Sequence, residues 1–278
     1  MIDLAQIVLE SAPPRQRRLA ELDRTTLGHS ARITTLRLRH GRLLDGDSLR
    51  RSLAAGLRRS GAGVAHVYAF PTIPSRIARQ IAIPFVAPGP TAPGWLPWPS
   101  PRQPTRILGA LAADAVEEAW FAVDPPSGPG VRVGIVAASE SSRRMLEATR
   151  LRVERFRDDL RWIVFDRMPG PEAMREIDVW LDPSEEPEAD GGTPEAMAAG
   201  KIVVAAATEA GRRRLDQGRA GFLVPPGDAN EMAHALLNAL FKPELARPRA
   251  ERGRAAAEAF HPSRRAERLL EIYRSVTP

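Results

Sequence analysis

The stretch from residue 177 to residue 228 constrains the fold of this chain more than any other part of it. It contains two short apolar runs, residues 179–181 and 202–206, each too short for a helix and bounded by turn-forming residues. Apolar runs of this length are typical of buried strands in a parallel sheet. The stretch therefore predicts a strand, a glycine loop, a short helix and a second strand, an arrangement that belongs to the α/β class.

The short helix between the two strands is predicted from its boundary residues. Thr193 is a good N-cap, Pro194 suits the first helical position, and Gly200 is a natural stop. Such a helix directs its N–H groups and the positive end of its dipole toward the carboxyl edge of the sheet, where a phosphate can dock. Because Gly191 and Gly192 immediately precede it, Gly191, Gly192 and Thr193 are candidate phosphate-binding residues.

Composition is that of a soluble globular protein. The 278 residues are 43% apolar and 27% charged, and can bury a core as one large or two small domains. No run of 18 apolar residues predicts a transmembrane helix, and the N-terminus, with Asp3 and no basic region, does not resemble a signal peptide. The absence of cysteine excludes disulfides and thiolate chemistry. A cytoplasmic location is the default expectation.

The net charge of +6 raises the possibility of a nucleic-acid partner. However, the basic residues are spread along the chain among 34 acidic ones, and aromatic residues make up only 5%, too few for extensive base stacking. We therefore expect no nucleic-acid binding. Attraction to an anionic membrane surface stays open, so we expect at most peripheral membrane contact.

Strand-like patterns recur in the first part of the chain, at residues 2–9, 32–39, 64–70 and 83–87. The segment 88–104 is dense in proline, cannot hold a helix and is predicted to be a linker. The segment 107–122 has a helical pattern. These elements predict a first domain over residues 1–122.

In the second part of the chain, strand patterns and helix patterns alternate regularly. Strands are predicted over residues 131–137, 162–165, 179–181, 202–206 and 221–224, and helices over 141–157, 171–176, 209–217, 229–241, 244–259 and 263–275. Asp228 and Glu231 form a D-x-x-E capping box at the start of helix 229–241. A second domain is predicted over residues 131–260, followed by a last helix within 261–278.

The E-A-M-A-x-G motif, the V-V-A run and the later GFLVPPGD segment occur in the order and spacing of a known family. With them the chain resembles the carboxyl-terminal half of the family 4 glycosyltransferases, most densely over residues 178–228. The resemblance implies a GT-B fold of two Rossmann-like domains with parallel sheets, of which the second holds a nucleotide-diphosphate sugar. It also implies that the last helix packs back on the N-terminal domain, which is reduced here.

The resemblance aligns Glu195 with the glutamate that usually binds the ribose of the donor. A glutamate in the first turn also stabilises a helix dipole by itself. The family's other glutamate, eight residues earlier, falls on Pro187, and its neighbour Glu188 is the candidate if the loop shifts by one residue. The acidic loop around Glu188 is equally well explained as a surface turn.

The family usually holds the diphosphate with a Gly-Arg pair after the first strand of the second domain and a lysine about five residues later. Here Ile135 follows Gly134, and the lysine position falls near Glu140. Arg143 and Arg144, one helical turn further on, either substitute for these cations or are exposed helix residues.

His66 is the candidate general base, since the resemblance implies a histidine of the first domain near the reacting sugar. The alternative, a core histidine with its hydrogen bonds satisfied, is favoured by its place within a predicted strand. No histidine–carboxylate cluster has metal-ligand spacing, so we expect no metal and no cofactor.

The sequence thus predicts an enzyme that moves a sugar from a nucleotide-diphosphate sugar to a hydroxyl of a glycan, lipid or small molecule, as in glycan biosynthesis. Transfer of a hexose with retention of configuration is implied by the resemblance alone. The alternative is a catalytically inactive binding or scaffolding subunit that partners an active transferase, which Pro187 and Glu140 favour. A sugar-nucleotide epimerase would need acid–base residues that we do not find.

Overall fold

The structure of the chain is a computed structural model. It describes residues 1–9, 14–38, 55–57, 59–68, 85–88, 106–108, 116–124, 130–185 and 191–276. Apart from Pro88, the proline-rich segment 88–104 lies outside the described residues, and so does Glu188.

The chain divides into two compact units. The first contains residues 1–115 and 262–278, and the second contains residues 116–261. The sequence assigns residues 116–122 to the first domain, whereas the structure assigns them to the second unit. The reason is apolar packing, since the buried side chains of Val116 and Trp120 belong to the same cluster as Trp180.

The first unit is built on a parallel five-stranded sheet. Its strands are Ile2–Leu9 (β1), Ala31–Leu38 (β2), Val64–Tyr68 (β3), Phe85–Pro88 (β4) and Arg106–Leu108 (β5), in the order β2-β1-β3-β4-β5. The helix Pro14–Leu27 (α1) connects β1 to β2, and residues 55–57 and 59–60 are helical. This strand order is that of a doubly wound, Rossmann-like fold.

The sequence-based expectation for residues 107–122 is wrong, and one helix of the first unit was not predicted. The helix predicted over residues 107–122 is wrong at its described ends, where Ile107 pairs with Ala87 in the sheet and Glu118–Trp120 forms a single 3-10 turn. Pairing with a neighbouring strand overrides the local helical pattern there. The sequence also gives no indication of α1, whose buried face includes Leu19 and Leu27.

The second unit repeats the same topology. Its strands are Val131–Val136 (β6), Leu160–Phe165 (β7), Val179–Asp182 (β8), Ile202–Ala206 (β9) and Phe222–Val224 (β10), in the order β7-β6-β8-β9-β10, and all paired strands are parallel. Along β8 the side chains alternate between two apolar clusters: Val179 and Leu181 pack on one face, and Trp180 packs on the other. Both faces of the sheet are therefore covered, as expected for parallel strands.

The helices of the second unit are Glu140–Val153 (α2), Pro171–Met174 (α3), Thr193–Ala198 (α4), Glu209–Arg214 (α5), Ala229–Phe241 (α6) and Pro243–Ala257 (α7). Asp228 caps α6, because its Oδ1 accepts hydrogen bonds from the backbone N–H groups of Asn230 (2.9 Å) and Glu231 (3.0 Å). This confirms the start predicted for that helix. Within the described residues, we find no helix that is both long and apolar enough to cross a membrane.

The last helix, Pro262–Val276 (α8), belongs to the first unit, where it packs against α1. Two buried polar contacts hold it. The Arg265 guanidinium donates to both carboxylate oxygens of Asp23, at 2.7 and 2.8 Å, and the side chains are 2% and 3% exposed. The phenol of Tyr273 lies 2.6 Å from His66 Nδ1. These groups tie α8 to α1 and to β3.

Candidate functional site

The topology of the second unit singles out one edge of its sheet. Strand β6 has β7 on one side and β8 on the other, so the chain reverses its direction of winding between β6 and β8. Ligands of doubly wound proteins bind outside the carboxyl ends of the strands at such a switch point. Here those ends are Val136 and Asp182, and α2 and α4 begin beyond them.

The glycine loop before α4 is fixed to strand β8 by side chains of that strand. Trp180 Nε1 donates to the carbonyl oxygen of Gly191 at 2.7 Å. Asp182 accepts from Thr193 Oγ1 at 2.6 Å through one carboxylate oxygen and from the backbone N–H of Ser184 at 3.1 Å through the other. A Cβ atom at Gly191 would lie only 2.0 Å from Asp182 Oδ1. The close approach of the loop to β8 therefore requires glycine at this position.

The loop also requires glycine at position 192, because of its backbone conformation and a close side chain. The Gly192 φ of +74° lies in the left-handed region, where residues with a Cβ atom are strained, and a Cβ would lie 2.4 Å from Met168 Sδ. Gly192 is also the N-cap of α4, so the prediction that Thr193 is the N-cap is wrong. Thr193 is instead the first residue of α4, and its hydroxyl donates to the buried Asp182 carboxylate.

Glu195 lies in the first turn of α4 and is 7% exposed. It differs in this from Glu231, a first-turn glutamate of α6 that is exposed to solvent. A surface position would be enough for a favourable interaction with the helix dipole. Burial at the carboxyl edge of the sheet instead makes Glu195 part of the candidate site.

Arg143 and Arg144 lie one turn inside α2 and are both exposed. The Arg143 guanidinium is 3.6 Å from Asp166, which follows β7, and Arg144 is 3.0 Å from Glu140. Strand β7 is on the side of β6 opposite to β8, so the contact with Asp166 turns Arg143 away from the glycine loop. In this part of the described structure neither arginine forms an ion pair with that loop.

His66 occupies the centre of the first unit's sheet, where it pairs with Gln6 of β1 and Val86 of β4. Its side chain is 2% exposed and contacts the Tyr273 hydroxyl. Burial, with a smaller contribution from the positive charge of Arg265, lowers the pKa of His66 well below 6.5 and keeps the imidazole neutral. These surroundings favour the core interpretation over that of a general base.

Two polar residues at this edge of the sheet were missed by the sequence analysis. Asp182 ends β8, and Arg214 is buried at the end of α5 although it belongs to a run of arginines. Both line a small pocket beside the glycine loop, together with Ser184, Ala206, Thr208 and Gly211. A signal for Arg214 was present, because it lies four residues after the apolar Ala210 and so shares its helix face.

In the part of the chain that the structure describes, no group of three or more histidine, aspartate or glutamate side chains could hold a metal ion. The expectation of chemistry without a metal stays a prediction.

Comparison with known proteins identifies this region. Residues 112–241 match the family described as "Glycosyl transferases group 1". The matched residues lie almost entirely in the second unit, which is therefore similar to the group 1 glycosyltransferases. The chain is also similar to a phosphatidyl-myo-inositol mannosyltransferase of Mycobacterium leprae, with 39% identity over 106 residues, which are 37% of this chain and 28% of the relative. The chain thus matches less than a third of that curated relative's length.

Solved structures show the fold of the whole chain. A glycosyltransferase from Rickettsia africae superposes with a TM-score of 0.70 at 12% identity, covering 99% of this chain and 98% of that one. The HepE protein of Anabaena, in complex with UDP and glucose, superposes with a TM-score of 0.65 at 11% identity, covering 99% and 100%. These structural similarities confirm the α/β, GT-B-like fold class that the sequence predicts. The family match and the mannosyltransferase confirm the resemblance to the family 4 glycosyltransferases.

Behind the site, the second unit buries a lysine. The backbone N–H of Lys201 donates to the carbonyl oxygen of Ala196 at the end of α4, and its side chain is 3% exposed. Its Nζ has no hydrogen-bond partner among the described residues. Burial lowers the pKa of Lys201 from 10.5 to about 8; the Asp178 carboxylate opposes this shift, and Arg132 adds to it.

We expect Lys201 to make the stability of the domain depend on pH. Between about pH 8 and pH 10.5 the amine is neutral in the folded chain but charged in the unfolded chain. The unfolded state then binds more protons, so the free energy of unfolding rises with pH across this window. Below the window the amine is charged in both states, so Lys201 lowers the free energy of unfolding by a constant amount and adds no pH dependence. Lys201→Met should abolish the pH dependence that Lys201 causes. It should also raise the free energy of unfolding at pH 7 by about 1–3 kcal/mol, because no charged amine is then buried.

The measurement is urea denaturation of both proteins from pH 7 to pH 10. The difference between them isolates Lys201, because the remaining groups titrate alike in both. Lys242→Met is the matched control, since Lys242 is exposed. If Lys201→Met and Lys242→Met show the same pH dependence, the buried amine does not titrate as described.

Proposed function

We propose that this chain transfers a sugar from a nucleotide-diphosphate sugar to a hydroxyl group of an acceptor. The observation that carries the proposal is the match of residues 112–241 to the group 1 glycosyltransferases, which includes the glycine loop and α4. The nucleotide donor is supported by the structural similarity to HepE, which was solved with UDP and glucose. Transfer of a hexose with retention of configuration, in the cytoplasm, is part of the same proposal.

The donor would bind at the carboxyl edge of the second sheet. Its diphosphate would lie against the backbone of Gly191, Gly192 and Thr193, where N–H groups of the first turn have no partner within the helix. The Thr193 hydroxyl is already bound to Asp182, so Thr193 would contribute its backbone N–H. The buried Glu195 carboxylate would accept hydrogen bonds from the ribose hydroxyls.

The leaving diphosphate also needs positive charge. Arg143 and Arg144 are the candidates on α2, and their ion pairs with Asp166 and Glu140 are exposed. Such pairs are worth about 1 kcal/mol or less, so a bound diphosphate could displace either carboxylate at little cost. Catalysis would then rest on positioning and on fixed donors and cations, with no metal required.

The acceptor is proposed only as a class. The mannosyltransferase of Mycobacterium leprae is named for phosphatidyl-myo-inositol, which carries hydroxyl groups on a lipid headgroup. This relative supports a hydroxyl acceptor and makes lipid-linked polyols reasonable first substrates to assay. We assign no general base, because the surroundings of His66 favour a core role.

Thermal unfolding with UDP, GDP, ADP and their common sugar conjugates tests the proposal. A ligand present at about 100 times its dissociation constant stabilises the folded state by about 2.7 kcal/mol, which gives a measurable rise in melting temperature. Glu195→Ala should weaken binding of that nucleotide by about 10-fold or more, since hydrogen bonds to a charged group contribute about 1.5–3 kcal/mol.

Glu231→Ala is the matched control, because Glu231 also lies in the first turn of a helix but is exposed. Each variant is compared with its own melting temperature without ligand, so a change in intrinsic stability does not affect the result. If the wild-type protein responds to no nucleotide, the scaffolding alternative replaces the proposed activity.

A further inference from the structure

Polar side chains converge in the pocket beside the glycine loop, between the carboxyl ends of β8 and β9. Asp182 ends β8 and Ala206 ends β9. The first turn of α5 lies directly on the end of β9, because a Cβ atom at Gly211 would be 2.3 Å from the carbonyl oxygen of Ala206. Backbone atoms therefore form one wall of the pocket. The polar side chains that line the rest of the pocket face a narrow space.

Arg214 supplies the positive charge of this pocket. It is the last residue of α5 and 7% exposed, whereas the preceding Arg212 and Arg213 are exposed. Side chains of a helix point back toward its N-terminus, so the guanidinium is carried along α5 toward the pocket, which it lines. A guanidinium has five N–H donors, enough for a ligand in addition to contacts within the protein.

The other polar groups supply acceptors and a hydroxyl donor. Each Asp182 oxygen accepts one hydrogen bond, from Ser184 or from Thr193, and a carboxylate has about four acceptor sites. Thr208 Oγ1 accepts from the backbone N–H of Gly211 at 3.0 Å, and its own O–H remains a donor. The pocket thus offers a carboxylate, a guanidinium and a hydroxyl together.

This combination selects a particular ligand chemistry. A phosphate group would be repelled by the Asp182 carboxylate, and a cation would be repelled by Arg214. A sugar hydroxyl both donates and accepts hydrogen bonds, so it can use Asp182 and Arg214 at once. We infer that the pocket is a subsite for hydroxyl groups of the donor's sugar and that Arg214 is a specificity-determining residue. This inference rests on the proposed function.

The position of the pocket fits this assignment. Asp182 is in contact range of Gly191, where we propose that the diphosphate binds, and the same carboxylate lines the pocket. A sugar attached to that diphosphate would therefore lie within a short distance of the pocket. Arg143, by contrast, contacts Asp166 beyond β7, on the other side of the site.

The test compares a nucleoside diphosphate with its sugar conjugate. Calorimetric titrations use UDP and UDP-glucose, GDP and GDP-mannose, and ADP and ADP-glucose with the full chain. In Arg214→Met we expect the affinity for the conjugate that the wild type binds to fall about 10-fold, equal to about 1.4 kcal/mol, while the affinity for the diphosphate alone changes by less than about 2-fold.

Arg213→Met is the matched control, since it removes the same charge from an exposed position on the same helix, and it should change neither affinity. Arg214→Lys keeps the charge but removes the planar fork of donors, so it should show the same selective loss even if Arg214→Met does not fold. Circular dichroism and melting temperature establish folding for each variant.

An equal loss of affinity for diphosphate and conjugate in Arg214→Lys would overturn the inference, because Arg214 would then act on the phosphates or on the loop. No loss in either variant would overturn it as well. A wild-type chain that binds no nucleotide at all would instead refute the proposed function and the inference with it, so the two failures are distinguishable.

Discussion

Replacing Asp23 by alanine is expected to lower the free energy of unfolding by about 3–5 kcal/mol, because it leaves the Arg265 guanidinium in the core without the carboxylate that neutralises it. Both side chains are almost fully buried, and the pair is bidentate. Since small domains are stable by only about 5–15 kcal/mol, this single change removes a large fraction of the total. Urea denaturation followed by far-ultraviolet circular dichroism measures the effect.

Glu21→Ala is the matched control. Glu21 lies on the same helix and pairs with Arg24, but both side chains are about half exposed, so its loss should cost about 1 kcal/mol or less. The double variant Asp23→Leu with Arg265→Met should recover stability relative to Asp23→Ala, because it leaves no unpaired charge in the core. If Asp23→Ala costs no more than Glu21→Ala, the buried pair does not have the role that its burial indicates.

Gly191→Ala should reduce the proposed sugar transfer by at least about 100-fold, because a displacement of the glycine loop by about 1 Å would misplace a donor bound there. The new Cβ would lie 2.0 Å from Asp182 Oδ1 and 2.3 Å from Asp182 Cγ. Asp182 cannot move aside freely, since its carboxylate is bound to Thr193 and to the backbone of Ser184. The loop must therefore shift, and the nucleotide-induced rise in melting temperature should disappear with it.

Gly170→Ala is the control for this change. Gly170 has a φ of −81°, and a Cβ there would meet nothing within 4 Å, so alanine should fit without strain. Adding Asp182→Ala to Gly191→Ala removes the atoms in conflict, so the two changes should be non-additive and the double variant more stable than additivity predicts. Nucleotide binding by Gly191→Ala equal to that of Gly170→Ala would contradict the assignment of this loop to the donor site.

The fold of the second unit could be predicted from the sequence because its local signals agree with its tertiary structure. The apolar runs at residues 179–181 and 202–206 are strands, and Asp228 caps α6 where predicted. The first unit was harder to predict. Residues 106–108 form a strand only because β4 lies beside them, and no local pattern contains that information.

The candidate site was predictable in part. Gly191, Gly192 and Glu195 stand in a recognisable order along the chain, so sequence alone brings them together. The hydrogen bond from Thr193 to Asp182 joins residues separated by a loop, and no local sequence pattern indicates it. Arg214 stands within a run of arginines, and the only local signal that distinguishes it is its spacing of four residues from the buried Ala210.

The discontinuity of the first unit imposes an order on its formation. The chain leaves this unit after residue 115 and returns to it only at residue 262. During synthesis, the second unit is therefore complete before α8 has been made, and domains generally fold as units while the chain grows. Until then, Arg265 and Tyr273, which bind Asp23 and His66 in the finished unit, do not yet exist. The second unit can fold on the ribosome, while the first unit must wait for the final helix to close its core.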